Sequence, residues 1–293
     1  MKKIRFVNSK DFSAEKHGFH LVKPSPWPFL TSVGLLDIAL YTVLIFDNRE
    51  VSYLLYLFLW LYFFMIIGMW FRDVIIESHQ GMHTSKVQRG FRYGMIVILI
   101  SETMFFFGFF WCFFYMSISP SIWIGSRWPP LGIQPINPLH LPLLNTILLV
   151  SSGVSAFFVH KSIMCKDGRQ AVTRGLMFTA FLGILFTLCQ IYEYCTAPFS
   201  INDGIYGSIF YVSTGFHGLH VIIGTIAIIV CLIRHLRHHF QRDHHVGLEL
   251  SFWYWHFVDV IWILLYLTIY WMSCDINEVL FGIKSDQNET YHS

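Results

Sequence analysis

YGMIVILISETMFFFGFFWCFFYM, residues 93–116, is an apolar run long enough to cross a bilayer, yet it contains the ionisable residue Glu102. A second apolar run, FYVSTGFHGLHVIIGTIAIIVCLI at residues 210–233, contains His217 and His220. A charged side chain at mid-bilayer costs roughly 2.5–3.5 kcal/mol on insertion scales, so such residues usually face neighbouring helices rather than lipid. The two runs therefore predict membrane helices whose polar residues are candidates for function.

The composition of the whole chain is that of a polytopic membrane protein. Hydrophobic residues make up 55% of it and charged residues only 13%, whereas charged residues make up about 25% of a soluble domain. The mean hydropathy is +0.53. Since a helix needs about 17–25 apolar residues to span the hydrocarbon core, the sequence predicts seven transmembrane helices and an all-α fold. The apolar stretches lie at residues 29–46, 51–71, 93–117, 141–160, 171–195, 207–233 and 249–273.

The distribution of Lys and Arg predicts the orientation of these helices. With seven spans, the N-terminal tail and the second, fourth and sixth loops lie on one side of the membrane. All but three of the 20 Lys and Arg residues fall there, the exceptions being Arg49, Arg127 and Lys284. By the positive-inside rule, the N-terminus is on the cytoplasm-like side and the C-terminus is opposite.

A polar segment divides the chain into a two-helix group and a five-helix bundle. We predict an N-terminal tail, the two-helix group, a loop, the bundle and a C-terminal tail at residues 1–28, 29–71, 72–92, 93–274 and 275–293. Helical spacing predicts polar faces that meet inside the bundle. On the sixth span the face comprises Ser213, His217, His220 and Gly224, and on the seventh His256, Asp259, Tyr266 and Tyr270.

His217 and His220 allow two interpretations. Imidazole groups at i, i+3 lie on one side of a helix and suit haem or copper. Alternatively, they form hydrogen bonds to neighbouring helices and hold the bundle together. No third ligand is evidently placed with them, and the six cysteines include no C-x-x-C pair. We therefore favour a polar network and predict no metal site.

The acidic residues in the spans also leave alternatives open. Glu102 is expected to be a buried acid that acts either in proton transfer or as a structural hydrogen-bonding group. Glu193, which lies between Tyr192 and Tyr194 near the end of the fifth span, is expected to be an acid at the membrane interface.

Charged residues next to the spans are candidates for lipid binding. The sequence from residue 234 to 245, RHLRHHFQRDHH, places Arg234 and Arg237 at the positive side, where they attract anionic headgroups. Glu77 and His83, near Arg72, either contact headgroups in the same way or belong to a solvated loop.

Taken together, the motifs resemble subunit III of cytochrome c oxidase. The resemblance spans nearly the entire chain, and single motifs are weaker than their combination. The matching strings are PSPWP (24–28), WFRDVIIES (70–78), RYGMI (92–96), SETMFFFGFFW (101–111), WPP (128–130), PLLNT (142–146), APFSINDGIYGS (197–208), TGFHGLHVIIG (214–224) and WYWHFVDV (253–260). The sequence departs from animal members at Trp70–Phe71, where they have paired Trp, and appears one residue shorter between Ser78 and His83.

The resemblance implies seven helices in groups of two and five, with phospholipids in a cleft between the groups. It implies that Glu102 is the family's buried acid of the third helix. It further implies that Glu77 and His83, with Arg72, contact lipid headgroups, and that Arg234 and Arg237 contact cardiolipin. The expected lipids are phosphatidylglycerol, phosphatidylethanolamine and cardiolipin. The family binds no haem or copper itself, because haem a and copper belong to subunits I and II.

The implied function is that of a non-catalytic core subunit of cytochrome c oxidase, a proton-pumping complex that reduces O2 with electrons from cytochrome c. Expected partners are subunits I and II, accessory subunits and phospholipids, with no nucleic acid. The expected location is the mitochondrial inner membrane, with the N-terminus in the matrix and the C-terminus in the intermembrane space. The N-terminal residues lack the apolar core of a signal peptide and contain Asp11 and Glu15, so we expect synthesis in the compartment of insertion.

Two other functions are alternatives. In the first, the chain is a subunit III of a bacterial quinol oxidase in a plasma membrane. In the second, it is an independent proton transporter that uses Glu102, His217 and His256.

Overall fold

The computed structural model describes residues 17–165, 168–240 and 245–274. These residues contain seven helices long and apolar enough to cross a membrane, and they contain no strand. This confirms the predicted all-α, seven-span architecture. The helices are α1 (Trp27–Phe46), α2 (Tyr53–His79), α3 (Ser85–Ile118), α4 (Leu141–Cys165), α5 (Arg169–Thr196), α6 (Gly204–Leu236) and α7 (Val246–Leu265). A π-helical turn at Tyr266–Trp271 continues α7.

The predicted loop at residues 72–92 is mostly helical. Helix α2 continues to His79 and α3 begins at Ser85, so only residues 80–84 form the connection. At 1.5 Å per residue, the 27 residues of α2 and the 34 of α3 extend roughly 40 and 50 Å, whereas the hydrocarbon core is about 30 Å thick. The apolar pattern marks only the part of each helix that lies in the hydrocarbon core, whereas the backbone hydrogen bonding of α2 and α3 continues beyond that part.

The chain divides into two compact units, residues 1–91 and 92–293. In the first unit α1 packs against α2, with Gly34 in contact with the ring of Phe63. Side-chain hydrogen bonds join the two helices near both of their ends. Thr42 Oγ1 lies 2.9 Å from Tyr56 Oη, and Trp27 Nε1 donates to Asp73 Oδ2 at 2.7 Å.

In the second unit, helices α4, α5, α6 and α7 form a closed ring of neighbours, in which α7 contacts both α6 and α4. Large fully buried aromatic side chains fill this ring, including Trp255, Trp262 and Phe186. The face predicted on α6 is buried at Ser213, His217 and His220. Helix α3 contacts the ring through longer side chains, among them the fully buried Phe106 and Phe113.

Candidate functional site

Glu102 on α3 and His220 on α6 form a direct pair. The imidazole Nε2 of His220 lies 2.9 Å from Glu102 Oε2, and Nδ1 lies 2.6 Å from the carbonyl oxygen of Phe216. Because a carbonyl oxygen only accepts, Nδ1 carries a hydrogen and donates it. The contact between Nε2 and the carboxyl oxygen then requires a proton between them, carried by either group. The pair is either a neutral imidazole with a carboxylic acid or an imidazolium with a carboxylate.

Aromatic rings surround this pair. The His220 ring centroid lies 5.1 Å from that of Phe106 and 6.2 Å from that of Tyr254. The side chain of His220 is 10% exposed, but that of Glu102 is 32% exposed. Within this chain Glu102 is thus half-buried, because α3 lies outside the four-helix ring and leaves one side of the carboxyl group uncovered.

His217 contacts a different helix from His220. Its Nε2 donates to the carbonyl oxygen of Val258 on α7 at 3.2 Å, and its ring packs against Trp262 at a centroid distance of 5.0 Å. The two histidines share a helix face, as the spacing predicted, but they reach toward opposite neighbours. Their arrangement favours the interhelical hydrogen-bonding interpretation over a common metal.

His256 and Asp259 form an i, i+3 pair on α7, with His256 Nδ1 3.5 Å from Asp259 Oδ2. The carboxyl group packs directly on Gly153 of α4, where an added Cβ would overlap with Oδ2 of Asp259. The pair therefore closes the α4–α7 contact, and Gly153 provides the necessary space. His256 remains 44% exposed.

Glu193, which we expected to be an acid at the membrane interface, is buried inside the bundle. Only 2% of the residue is exposed. Gln190 Nε2 and Tyr270 Oη both donate to Glu193 Oε1, at 3.2 and 2.6 Å. The i, i+3 spacing of Gln190 and Glu193 in an apolar run was a signal of this network, but the adjacent tyrosines resembled an interfacial belt.

A second interhelical ion pair was also missed by sequence reasoning. Arg92 at the start of the second unit donates from Nε and Nη2 to both carboxylate oxygens of Glu249 on α7, at 2.8–3.1 Å. The residues are 157 positions apart. Residue spacing gave no indication of this contact, which attaches α3 to α7.

The predicted lipid-binding residues of the first unit lie at the end of α2 and in the following turn. Arg72 pairs with Asp73 at 3.1 Å and is 57% exposed. Glu77 Oε2 lies 3.7 Å from His20 Nε2. The His83 ring packs edge-on against Phe91, with centroids 5.0 Å apart. The structure thus pairs the exposed Arg72 with its neighbour Asp73, while Glu77 faces His20.

The basic residues of the second unit lie at the C-terminal end of α6. The Arg234 guanidinium lies 4.6 Å above the ring centroid of Phe240. Its Nε is buried and has no hydrogen-bond partner among the described residues. Arg237 is exposed. Arg169 donates from Nη2 to the carbonyl oxygens of His235 and Leu236, at 2.8 and 2.7 Å, and so caps the helix.

Within residues 17–165, 168–240 and 245–274, no group of three or more His, Cys, Asp or Glu side chains could hold a metal ion. Part of the predicted basic sequence, residues 241–244, lies outside the described residues.

Seven candidate spanning helices with polar contacts between them define an all-α integral membrane protein. The sequence model of the family described as cytochrome c oxidase subunit III matches residues 17–274. This chain belongs to the cytochrome c oxidase subunit III family.

Individual relatives agree with this assignment. The chain is 48% identical to cytochrome c oxidase subunit 3 of Drosophila yakuba over 256 residues, which cover 87% of this chain and 97% of that protein. It is 49% identical to the protein of the same name in Locusta migratoria, over 87% of this chain and 96% of that protein. For Nanger granti the identity is 49%, over 88% of this chain and 98% of that protein.

Proposed function

We propose that this chain serves cytochrome c oxidase as a subunit without a redox centre of its own, with haem a and copper in subunits I and II. It binds phospholipid, stabilises subunit I and supports the delivery of protons and oxygen. The family assignment supports a place among the oxidase subunits. The engagement of His217 and His220 with separate helices supports a hydrogen-bonding role for the imidazoles rather than joint ligation of a metal.

The proposed location is the mitochondrial inner membrane, with the N-terminus in the matrix and the C-terminus in the intermembrane space. The asymmetry of Lys and Arg supports this orientation, and the animal relatives support the mitochondrial assignment. The proposed partners are subunits I and II, accessory subunits and structural phospholipids.

The environment of Arg234 is the observation that carries the lipid-binding function. Its guanidinium is half-buried on Phe240, and no ion pair to it forms among the described residues. A guanidinium presents five donors and binds phosphate in a bidentate manner. Arg234 and the exposed Arg237 thus provide cationic donors at a helix end for cardiolipin phosphates. In the first unit, Arg72 and Glu77 suit zwitterionic headgroups such as phosphatidylethanolamine.

The test is the lipid content of the purified complex. We expect Arg234→Gln to lose tightly bound cardiolipin, measured by native mass spectrometry after mild delipidation, and to lose activity faster during sustained turnover. Arg174→Gln is the matched control, since Arg174 is an exposed cation on the same predicted side of the membrane, and its guanidinium donates to Gln170 of its own helix. Equal cardiolipin retention in both variants would contradict the proposal.

The Glu102–His220 pair is the proposed contribution to proton delivery. The shared proton can move between Nε2 and Oε2 over a 2.9 Å contact while the Nδ1 bond to Phe216 holds the ring in place. The partial exposure of Glu102 gives that proton an exit from the bundle.

A further inference from the structure

A second polar cluster lies entirely inside the five-helix unit. It joins Asn145 on α4, Gln190 and Glu193 on α5, and Tyr270 in the π-helical turn after α7. Each of these residues is at most 4% exposed. Buried polar groups in a protein interior are nearly always hydrogen-bonded, so every atom of the cluster requires a partner.

The hydrogen bonds of this cluster form a chain in which each amide donates to the next residue. Asn145 Nδ2 donates to Gln190 Oε1 at 3.4 Å, and Gln190 Nε2 donates to Glu193 Oε1 at 3.2 Å. Tyr270 Oη adds a second donor to the same carboxyl oxygen at 2.6 Å. Two buried atoms of the cluster have no partner among the described residues, and these are Glu193 Oε2 and Asn145 Oδ1.

Both unpartnered atoms are acceptors when the carboxyl group is ionised, so they cannot satisfy one another. One proton on Glu193 Oε2 would change this, because a carboxylic acid donates and the amide oxygen Asn145 Oδ1 accepts. We infer that Glu193 and Asn145 form a proton-binding site in which a permanently held proton closes a three-residue hydrogen-bonded ring. The ring runs from Asn145 to Gln190, from Gln190 to Glu193, and from Glu193 back to Asn145.

The surroundings favour this neutral form. The titratable groups near the carboxyl are Tyr270, Tyr194 and Cys189, with Tyr211 on α6. All of these are uncharged in their protonated forms, and no Lys, Arg or His pairs with Glu193 in the described part of the chain. A buried carboxylate without a cation is costly, and such groups neutralise instead.

The π-helical turn explains how Tyr270 reaches this site. An i→i+5 turn inside a helix changes the direction of the side chains that follow, and such turns are frequent at functional sites. Here the turn covers Tyr266–Trp271, and Tyr270 within it is 1% exposed. The bond from its hydroxyl to Glu193 therefore ties the end of α7 to α5, while the inferred proton ties α5 to α4.

The first test is infrared spectroscopy of the assembled oxidase. We expect the wild-type complex to show a C=O stretching band of a protonated carboxyl group that is absent from Glu193→Gln. Asn145→Leu should shift this band to higher frequency, since the acid loses its acceptor. Absence of any difference between wild type and Glu193→Gln in this region, or a difference confined to carboxylate bands, would overturn the inference.

The second test compares two substitutions at the same position. Glutamine resembles the neutral acid, because its amide nitrogen donates where Oε2–H does and its oxygen accepts from Gln190 and Tyr270. Glu193→Gln should assemble and resist heat like the wild type, whereas Glu193→Leu leaves those donors unsatisfied and should lower the folded-to-unfolded ratio roughly five- to a hundredfold. Equal loss in both variants would show that the charged form is required. Neither test depends on lipid binding or proton delivery by this subunit.

Discussion

Replacing Gly224 with Ala should destabilise the five-helix unit, because the glycine forms one wall of a slot that holds Trp255. An added Cβ would lie 2.8 and 3.0 Å from Cε3 and Cζ3 of the indole. The ring cannot retreat, since Trp255 is 0% exposed and a Cβ on Gly183 would lie 2.7 Å from its Cη2. Its Nε1 also donates to Ser152 Oγ at 2.9 Å.

The magnitude follows from comparison with Gly218→Ala on the same helix, where an added Cβ meets nothing within 4 Å. Both substitutions gain about 1 kcal/mol of helix propensity, so their difference isolates overpacking. Overpacking a well-filled core costs about 1–3 kcal/mol. We therefore expect Gly224→Ala to be less stable than Gly218→Ala by that amount.

The assay is the fraction of purified oxidase that retains this folded chain after graded heating. Trp255→Phe in the Gly224→Ala background removes the ring carbons that collide, so the two changes should be strongly non-additive. Equal thermal stability of Gly224→Ala and Gly218→Ala would refute the tight packing of Gly224 against Trp255. Simple additivity of Gly224→Ala and Trp255→Phe would refute it as well.

Two further substitutions test the polar contacts of α3. Arg92→Lys cannot keep the bidentate contact with Glu249, so it should lower the free energy of unfolding by about 1 kcal/mol. A double-mutant cycle with Glu249→Gln should show coupling between the two residues. Full additivity of the two substitutions would contradict this prediction. Glu102→Ala removes the partner of His220 Nε2 at a cost of about 1–3 kcal/mol. We expect this variant to give less assembled oxidase, with unchanged haem absorption bands. Thr103→Ala is the control, because the Thr103 hydroxyl donates to a carbonyl of its own helix. Loss of a haem band in complete complexes would count against this prediction.

The sequence was sufficient to predict the fold class and the number of spans, because both depend on the length of apolar runs. It predicted helix ends less well. The polar residues from 72 to 79 remain helical in α2, since a helix satisfies its own backbone in water as well as in lipid. Hydropathy reports the environment of a segment, not where its backbone hydrogen bonding stops.

For the candidate site, the sequence likewise predicted the local geometry of a helix but not the contacts between helices. Spacing correctly placed His217 and His220 on one buried face of α6, since that geometry is local. It did not identify Val258 and Glu102 as their partners, because those contacts depend on how α3 and α7 pack. For the same reason, the sequence did not predict the burial of Glu193. Its neighbours in sequence are of the type found at membrane interfaces, but in space its carboxyl group accepts from the buried Tyr270.

Helix α7, with the π-helical turn that continues it, makes a polar contact with each of the other four helices of the unit. It supplies Glu249 to Arg92 of α3, the indole of Trp255 to Ser152 of α4, the hydroxyl of Tyr270 to Glu193 of α5, and the carbonyl of Val258 to His217 of α6. Without α7, the buried Nε2 of His217 would lose its hydrogen-bond partner, at a cost of about 1–3 kcal/mol. Glu193 Oε1 would still accept from Gln190, and the Ser152 hydroxyl would still donate to Leu149. Because α7 makes a polar contact with each of the other four helices of the unit, we expect their final packing to depend on it.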